Sequence, residues 1–296
     1  KEAMKNVLEV KPPLPLAPAA DHGFASESEA ARRRFLTTGK RPLFLADWMD
    51  ALFIHYEIDP QKLRDAIPYE LDLFEGKAHV SLVAFTMRNL RPAFGGFLTA
   101  LPFVPFSETR FLNVRAYVRH PRGAGIYFMT EFISSRLSAP LGPLAYGLPY
   151  HFATLDYDCD PERCRFEGRV SRRQGGLRKL SFTAHFKSQG SPNAAAPDEL
   201  TRFLTEKYNA YTSHRGTLRQ FSVWHEPWPL TRANLSIADD SLLDLTGDWR
   251  RHARLIGAMH SPGVRNVWMS RPHRIAAAQE NQPRHRHRHA AFLELP

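Results

Sequence analysis

The sequence is short of the features that usually announce a function. It holds two cysteines, Cys159 and Cys164. Two cannot build a disulfide framework, and a structural zinc site asks for four ligands where no second pair lies nearby. Both read as ordinary residues beside a turn. No apolar run approaches the roughly 18 residues of a transmembrane helix, and the first residues lack the charged start and apolar stretch of a signal peptide. A cytoplasmic protein without membrane contact is the expectation. A glycine-rich phosphate loop, a nucleophile elbow and a paired-histidine zinc helix are all missing. The usual nucleotide, serine-hydrolase and zinc-protease readings therefore have nothing to stand on, and neither a metal nor a cofactor is expected.

What is present is a basic chain of 296 residues, with 40 Lys and Arg against 30 Asp and Glu. Such a balance invites a nucleic-acid reading. Much of the excess, however, sits at the ends. Residues 271 to 289 carry five arginines against one acid, Glu280. The body is only mildly basic, and its arginines are dispersed along alternating segments rather than interleaved with exposed aromatics. Nucleic acid is an unlikely partner on this pattern.

The ends also differ in kind from the middle. Residues 1–40 include Lys11-Pro12-Pro13-Leu14-Pro15, which favours extended conformations, and a stretch from Glu27 to Phe35 with short-helix character. Residues 272–296 contain the alternation Arg284-His285-Arg286-His287-Arg288-His289, which buries nothing. Both ends are expected to be disordered, leaving a single domain over residues 41–271.

Within that domain the patterning is strong. Asp59-Pro60 opens a helix to about Ala66. Trp48–Tyr56 suits a buried strand or short helix. Strands are predicted over His79–Met87, Leu112–Arg119, Ile126–Ile133, Tyr150–Tyr157, Arg165–Ser171, Leu177–Lys187, Leu218–Glu226 and Val264–Met269. Asp198–Tyr211 has the best helical spacing, and Ser134–Tyr146 reads as a proline-interrupted connector. Along Leu112–Arg119 the apolar Leu112, Val114, Ala116 and Val118 alternate with Asn113, Arg115, Tyr117 and Arg119. Many strands with few helices exclude a doubly wound nucleotide fold. The expectation is an α+β domain built on a curled or closed, mostly antiparallel sheet with a few peripheral helices. Its sheet edges leave a homo-oligomer open.

Several blocks occur in an order that resembles the YqjF-like family of uncharacterised bacterial proteins. They include Phe111-Leu112-Asn113-Val114-Arg115-Ala116-Tyr117-Val118, Tyr146-Gly147-Leu148-Pro149-Tyr150, Pro227-Trp228-Pro229-Leu230 and His260-Ser261-Pro262-Gly263-Val264. That family is more distantly similar to acetoacetate decarboxylase, which implies a barrel-like fold of that type. In the decarboxylase two lysines follow the Gly-x-Pro element. Here Tyr150 and His151 follow Pro149, so the amine for a Schiff base is missing at that place.

The candidate site residues follow. Tyr150, His151 and Glu131 are candidates for acid/base work. Arg115, Asn113 and Tyr150 are candidates for holding a small carboxylate or oxo compound, the guanidinium by paired hydrogen bonds. Each has a plainer reading: a core aromatic, a solvent-facing histidine, or an Arg115–Glu131 structural pair. His55, His185 and His260 read as structural histidines. Lys179, Lys187 and Lys207 are the later lysines of the body. The functions left open are an enzyme of lyase or hydrolase type working without an imine, and a non-catalytic binding protein.

Overall fold

The computed structural model describes residues 22–37, 41–95, 103, 108–187 and 198–276. Helix α1 (His22–Thr37) precedes strand β1 (Pro42–Ile58), helix α2 (Pro60–Leu63) and strands β2 (Glu70–Leu71), β3 (Ala78–Pro92), β4 (Glu108–Arg119) and β5 (Gly125–Ile133). Helix α3 (Ser138–Ala145) leads to β6 (Tyr150–Phe152), β7 (Thr154–Asp160), β8 (Arg165–Arg173) and β9 (Leu177–Phe186). Helix α4 (Glu199–Thr205) is followed by β10 (Asn209–His214), β11 (Thr217–Trp224), β12 (Thr231–Asp239), β13 (Ala253–Ser270) and β14 (His273–Arg274). Among the described residues no helix is long and apolar enough to cross a membrane.

Seven strands form a ring. Strands β1, β3, β4 and β5 pair antiparallel in succession. A parallel joint links β5 to β10, antiparallel pairing carries on to β11, and β11 meets β13, which returns to β1. The closing joint consists of two residue pairs, Val223↔Met269 and Trp224↔Trp268. From β13 the sheet continues as an open wing, β12-β9-β8-β7, curled over the outside of the ring. The long strands bend at register shifts, where an extra residue adds local twist. One such knot is explicit: buried Asp47 on β1 accepts from the Asn89 side chain at 2.7 Å and from the backbone N–H of Asn266 at 2.9 Å. Both asparagines have positive φ, which Asn tolerates better than most residues.

The two faces of the central strands bury two separate cores. Outside the ring, Leu52, Ile54, Leu82 and Val114 pack under Phe166 and Phe182 of the wing. Inside, Phe53, Phe85, Phe111, Phe128 and Phe221 form a second, aromatic core. The Leu112–Val118 alternation thus separates two interiors rather than core from solvent.

Several expectations are corrected. The arm 1–40 is not disordered throughout: α1 docks with Phe35 and Ala31 buried, and the remaining residues of the arm to Asp21 lie outside the described set. Of the tail, residues 273–274 add β14 to β11; residues beyond 276 lie outside the described set. The helix predicted over Asp198–Tyr211 ends at Thr205. Glu206 leaves helical geometry, and the following residues are claimed by β10, whose pairing with β11 and β5 outweighs the helical spacing. The connector Ser134–Tyr146 contains α3, with Pro143 inside it. Strand β12 was not predicted.

Candidate functional site

The ring encloses a cavity of about 570 Å³. Its walls are mostly aromatic and aliphatic, and a small set of polar side chains converges on it. Asn113 and Arg115 enter from β4, Glu131 from β5, Tyr150 from β6, and His225 from the segment after β11. Alternation along β4 places Asn113 and Arg115 on the inner face. Antiparallel register sets Asn113 directly opposite Glu131, and parallel pairing sets Glu131 beside Tyr150. The Tyr150 ring lies against Gly142 of α3, where a Cβ would sit 2.2 Å from it. A glycine is required there for that approach.

Arg115 is 8% exposed. One guanidinium N–H donates to the Leu204 carbonyl at 3.0 Å, and the group lies 5.6 Å from the centre of the Phe53 ring. Its Nε has no hydrogen-bond partner, and no ion pair to it occurs among the described residues. The side-chain oxygen of Asn113 and one oxygen of Glu131 are likewise buried without partners. The Arg115–Glu131 pair that the sequence left open is not formed. Register gives Glu131 to Asn113, and Arg115 lies opposite Phe128 after a shift that follows Val114.

Burial decides the charges. Desolvation pushes Glu131 well above the usual carboxylate range, which favours its protonated form. Tyr150 is pushed up for the same reason, with Glu131 and Tyr146 adding to it. His225 falls to about 4, chiefly by desolvation, with Arg115 lowering it further against the bond to the Glu226 carbonyl. That bond, 2.7 Å from Nδ1, fixes the hydrogen on Nδ1, because a carbonyl only accepts. Nε2 therefore carries a free lone pair. Glu206, just behind this wall, rises to about 7 by desolvation, opposed by bonds from the Tyr208 hydroxyl and the Trp228 N–H.

A chain of bonds supports the floor. The Tyr117 hydroxyl donates to the Leu204 carbonyl at 2.8 Å, so the Ser81 hydroxyl donates to Tyr117 at 2.6 Å and His55 Nδ1 donates to Ser81 at 2.7 Å. Desolvation lowers His55 to about 3. His55 is thus a neutral member of the support.

Other sequence candidates fall elsewhere. His151 alternates out of phase with Tyr150 and is exposed on the outer side of β6, near Phe132. His185 is exposed on β9, and His260 stacks on Phe186 at 3.7 Å beside Cys159. Lys179 and Lys187 are exposed and away from the cavity. Lys207 does line it, but its ammonium pairs with Asp72 at 3.2 Å and lies 3.9 Å from the Phe203 ring centre. His225 was missed by the sequence reading. The compact Trp224-His225-Glu226-Pro227-Trp228 run, an aromatic strand end before proline, is the signal that was there to find.

The model of the family DUF2071, an uncharacterised conserved protein family, matches residues 45–265. The chain belongs to this family. This DUF2071 chain is 31% identical over 206 residues to the uncharacterised protein YqjF of Bacillus subtilis, covering 68% of the chain and 80% of YqjF. Among solved structures it is similar to acetoacetate decarboxylase from Legionella pneumophila, with a TM-score of 0.52 at 13% identity, over 80% of the chain and 88% of that protein. An acetoacetate decarboxylase-like enzyme from Sphingomonas wittichii gives 0.54 at 12%, over 80% and 95%. The enduracididine biosynthesis enzyme MppR, complexed with pyruvate, gives 0.51 at 12%, over 80% and 92%. These likenesses establish the acetoacetate-decarboxylase-like fold of the DUF2071 chain.

Proposed function

We propose that the ring cavity binds a small carboxylate- or oxo-bearing compound, with Arg115 holding the anion and Asn113, Glu131 and Tyr150 orienting its oxygens. The observation that supports this most is Arg115 itself. A guanidinium stays charged at any physiological pH, and a buried charge that makes no ion pair is costly, with only the largely neutralised Glu206 acting on it from behind the wall. An arriving carboxylate offsets that cost, and its two oxygens match the unoccupied donors. Glu131 and Tyr150, both uncharged, supply hydrogens to a carbonyl oxygen.

The same arrangement suits acid/base chemistry of lyase or hydrolase type. Burial favours the protonated form of Glu131, which makes it the candidate acid; His225, lowered to about 4, is a neutral hydrogen-bonding group rather than a strong base. No imine is formed, because Tyr150 and His151 stand where the decarboxylase lysines would and Lys207 is held by Asp72. A binding protein without turnover is the second reading, favoured by the outward placement of His151.

Calorimetric titration of pyruvate into the native chain and Arg115→Met tests the proposal. Native binding is expected, with a loss of at least tenfold in the variant. Stability should fall by no more than about 1 kcal/mol, because the Leu204 carbonyl keeps its bond from Tyr117. Borohydride added to the native mixture should leave the intact mass unchanged. Equal binding by both proteins, or a stoichiometric adduct on Lys207, contradicts the reading.

A further inference from the structure

The walls of the cavity are graded along the strands. At one end Arg115 lines the cavity from β4, and its row continues behind the lining through Ser81 on β3 and His55 on β1. The next row joins Phe53, Val83, Asn113 and Glu131. Beyond it β1, β3 and β4 turn only apolar side chains to the cavity, with the neutral His225 ring beside Trp48. Phe85 and Phe111 lie opposite each other, their rings stacked at 5.1 Å and 11°, and Trp48 and Met87 form the row after that. Four residues separate Arg115 from Phe111, about 13 Å at roughly 3.3 Å per residue. The apolar end reaches solvent at α3, where Leu141 and Leu144 line the cavity while remaining 49% and 75% exposed.

A three-carbon oxo acid leaves most of this space unused. It has six non-hydrogen atoms. Even at the ~30 Å³ that a water molecule takes, it fills about a third of the 570 Å³. We infer that the preferred ligand is an amphipathic carboxylate, its head on Arg115 and an apolar body of medium length lying along the wall of Phe85, Phe111 and Trp48 toward Leu144. This rests on the carboxylate reading above and specifies its substrate class. The long axis of the ligand follows the strands, and its tail end meets solvent at α3.

The test is a series of straight-chain carboxylates, from acetate through butanoate and hexanoate to octanoate, titrated into the full chain. Calorimetry and the fluorescence of Trp48 and Trp228, which both line the cavity, read the binding. Affinity should rise about fourfold per methylene. Arg115→Met should weaken octanoate at least tenfold without affecting octanol. Leu144→Glu changes a side chain already exposed, and should weaken octanoate more than acetate. If acetate binds as tightly as octanoate, the amphipathic class is wrong and the small-carboxylate reading stands. If no carboxylate of any length binds, or octanoate binds native chain and Arg115→Met alike, both are overturned.

Discussion

At the scale of single residues, burial rather than ion pairing sets the chemistry. Glu206 shows it in a measurable way. Its carboxyl titrates near 7 when folded, against an ordinary value near 4.5. The folded state therefore binds more protons between those values, and stability falls as pH rises through that window. Glu206→Gln removes the titration and keeps an acceptor for the Trp228 N–H, while its amide must donate to the Tyr208 hydroxyl where the carboxylate accepted. Relative to the native chain the variant should gain stability from pH 5 to pH 8, by up to about 3 kcal/mol. Denaturant unfolding at the two pH values measures this, and a pH-independent difference would contradict the burial argument. Asn113 and Arg115 could be singled out from sequence because strand alternation separates faces without any knowledge of the fold, whereas Tyr150 was found by its place after Pro149 and Glu131 as a charge on the neighbouring strand. His151 was kept as a candidate beside Tyr150, although neighbours on a strand point opposite ways, and the structure puts it on the exposed side. What alternation cannot report is which face is the cavity, and β4 has apolar cores on both sides.

At the scale of elements, the predicted strands held where β-branched and aromatic residues alternate. Prediction failed where tertiary pairing overrode local spacing. Leu204, Tyr208 and Tyr211 have helical spacing, yet β10 takes the latter part of the segment into the ring. Helix α1 was undervalued because its burial depends on residues nearly two hundred positions away. Phe35 meets Trp268 edge-on at 5.7 Å, Arg32 lies over both Trp224 and Trp268, and the Trp224 indole donates to the Ser28 carbonyl at 3.0 Å. Trp224↔Trp268 is one of the two pairs that close the ring. The helix thus clasps the seam. Phe35→Ala should cost about 3 kcal/mol, a fall in Tm of roughly 6–12 °C for a domain of this size, and should speed amide exchange along β11. An unchanged Tm would mean that the seam closes without the helix.

At the scale of the whole molecule, a closed sheet explains why a chain without catalytic motifs still presents a defined interior. A short hydrogen-bonded joint between β11 and β13 turns a long sheet into a ring, and the wing of β7, β8, β9 and β12 seals its outer face. Aromatic side chains then hold the interior open around Arg115, a cation that forms no ion pair among the described residues and is felt by the Glu206 carboxyl. The measurement that bears most directly on this account is a crystal structure of the full chain grown in saturating pyruvate. The account predicts the carboxylate inside the ring, its oxygens about 2.7–2.9 Å from the Nε and Nη atoms of Arg115, with Asn113, Glu131 or Tyr150 on its remaining oxygens. Pyruvate bound away from Arg115, or Arg115 turned into an ion pair with Glu131 or Glu206, would contradict it.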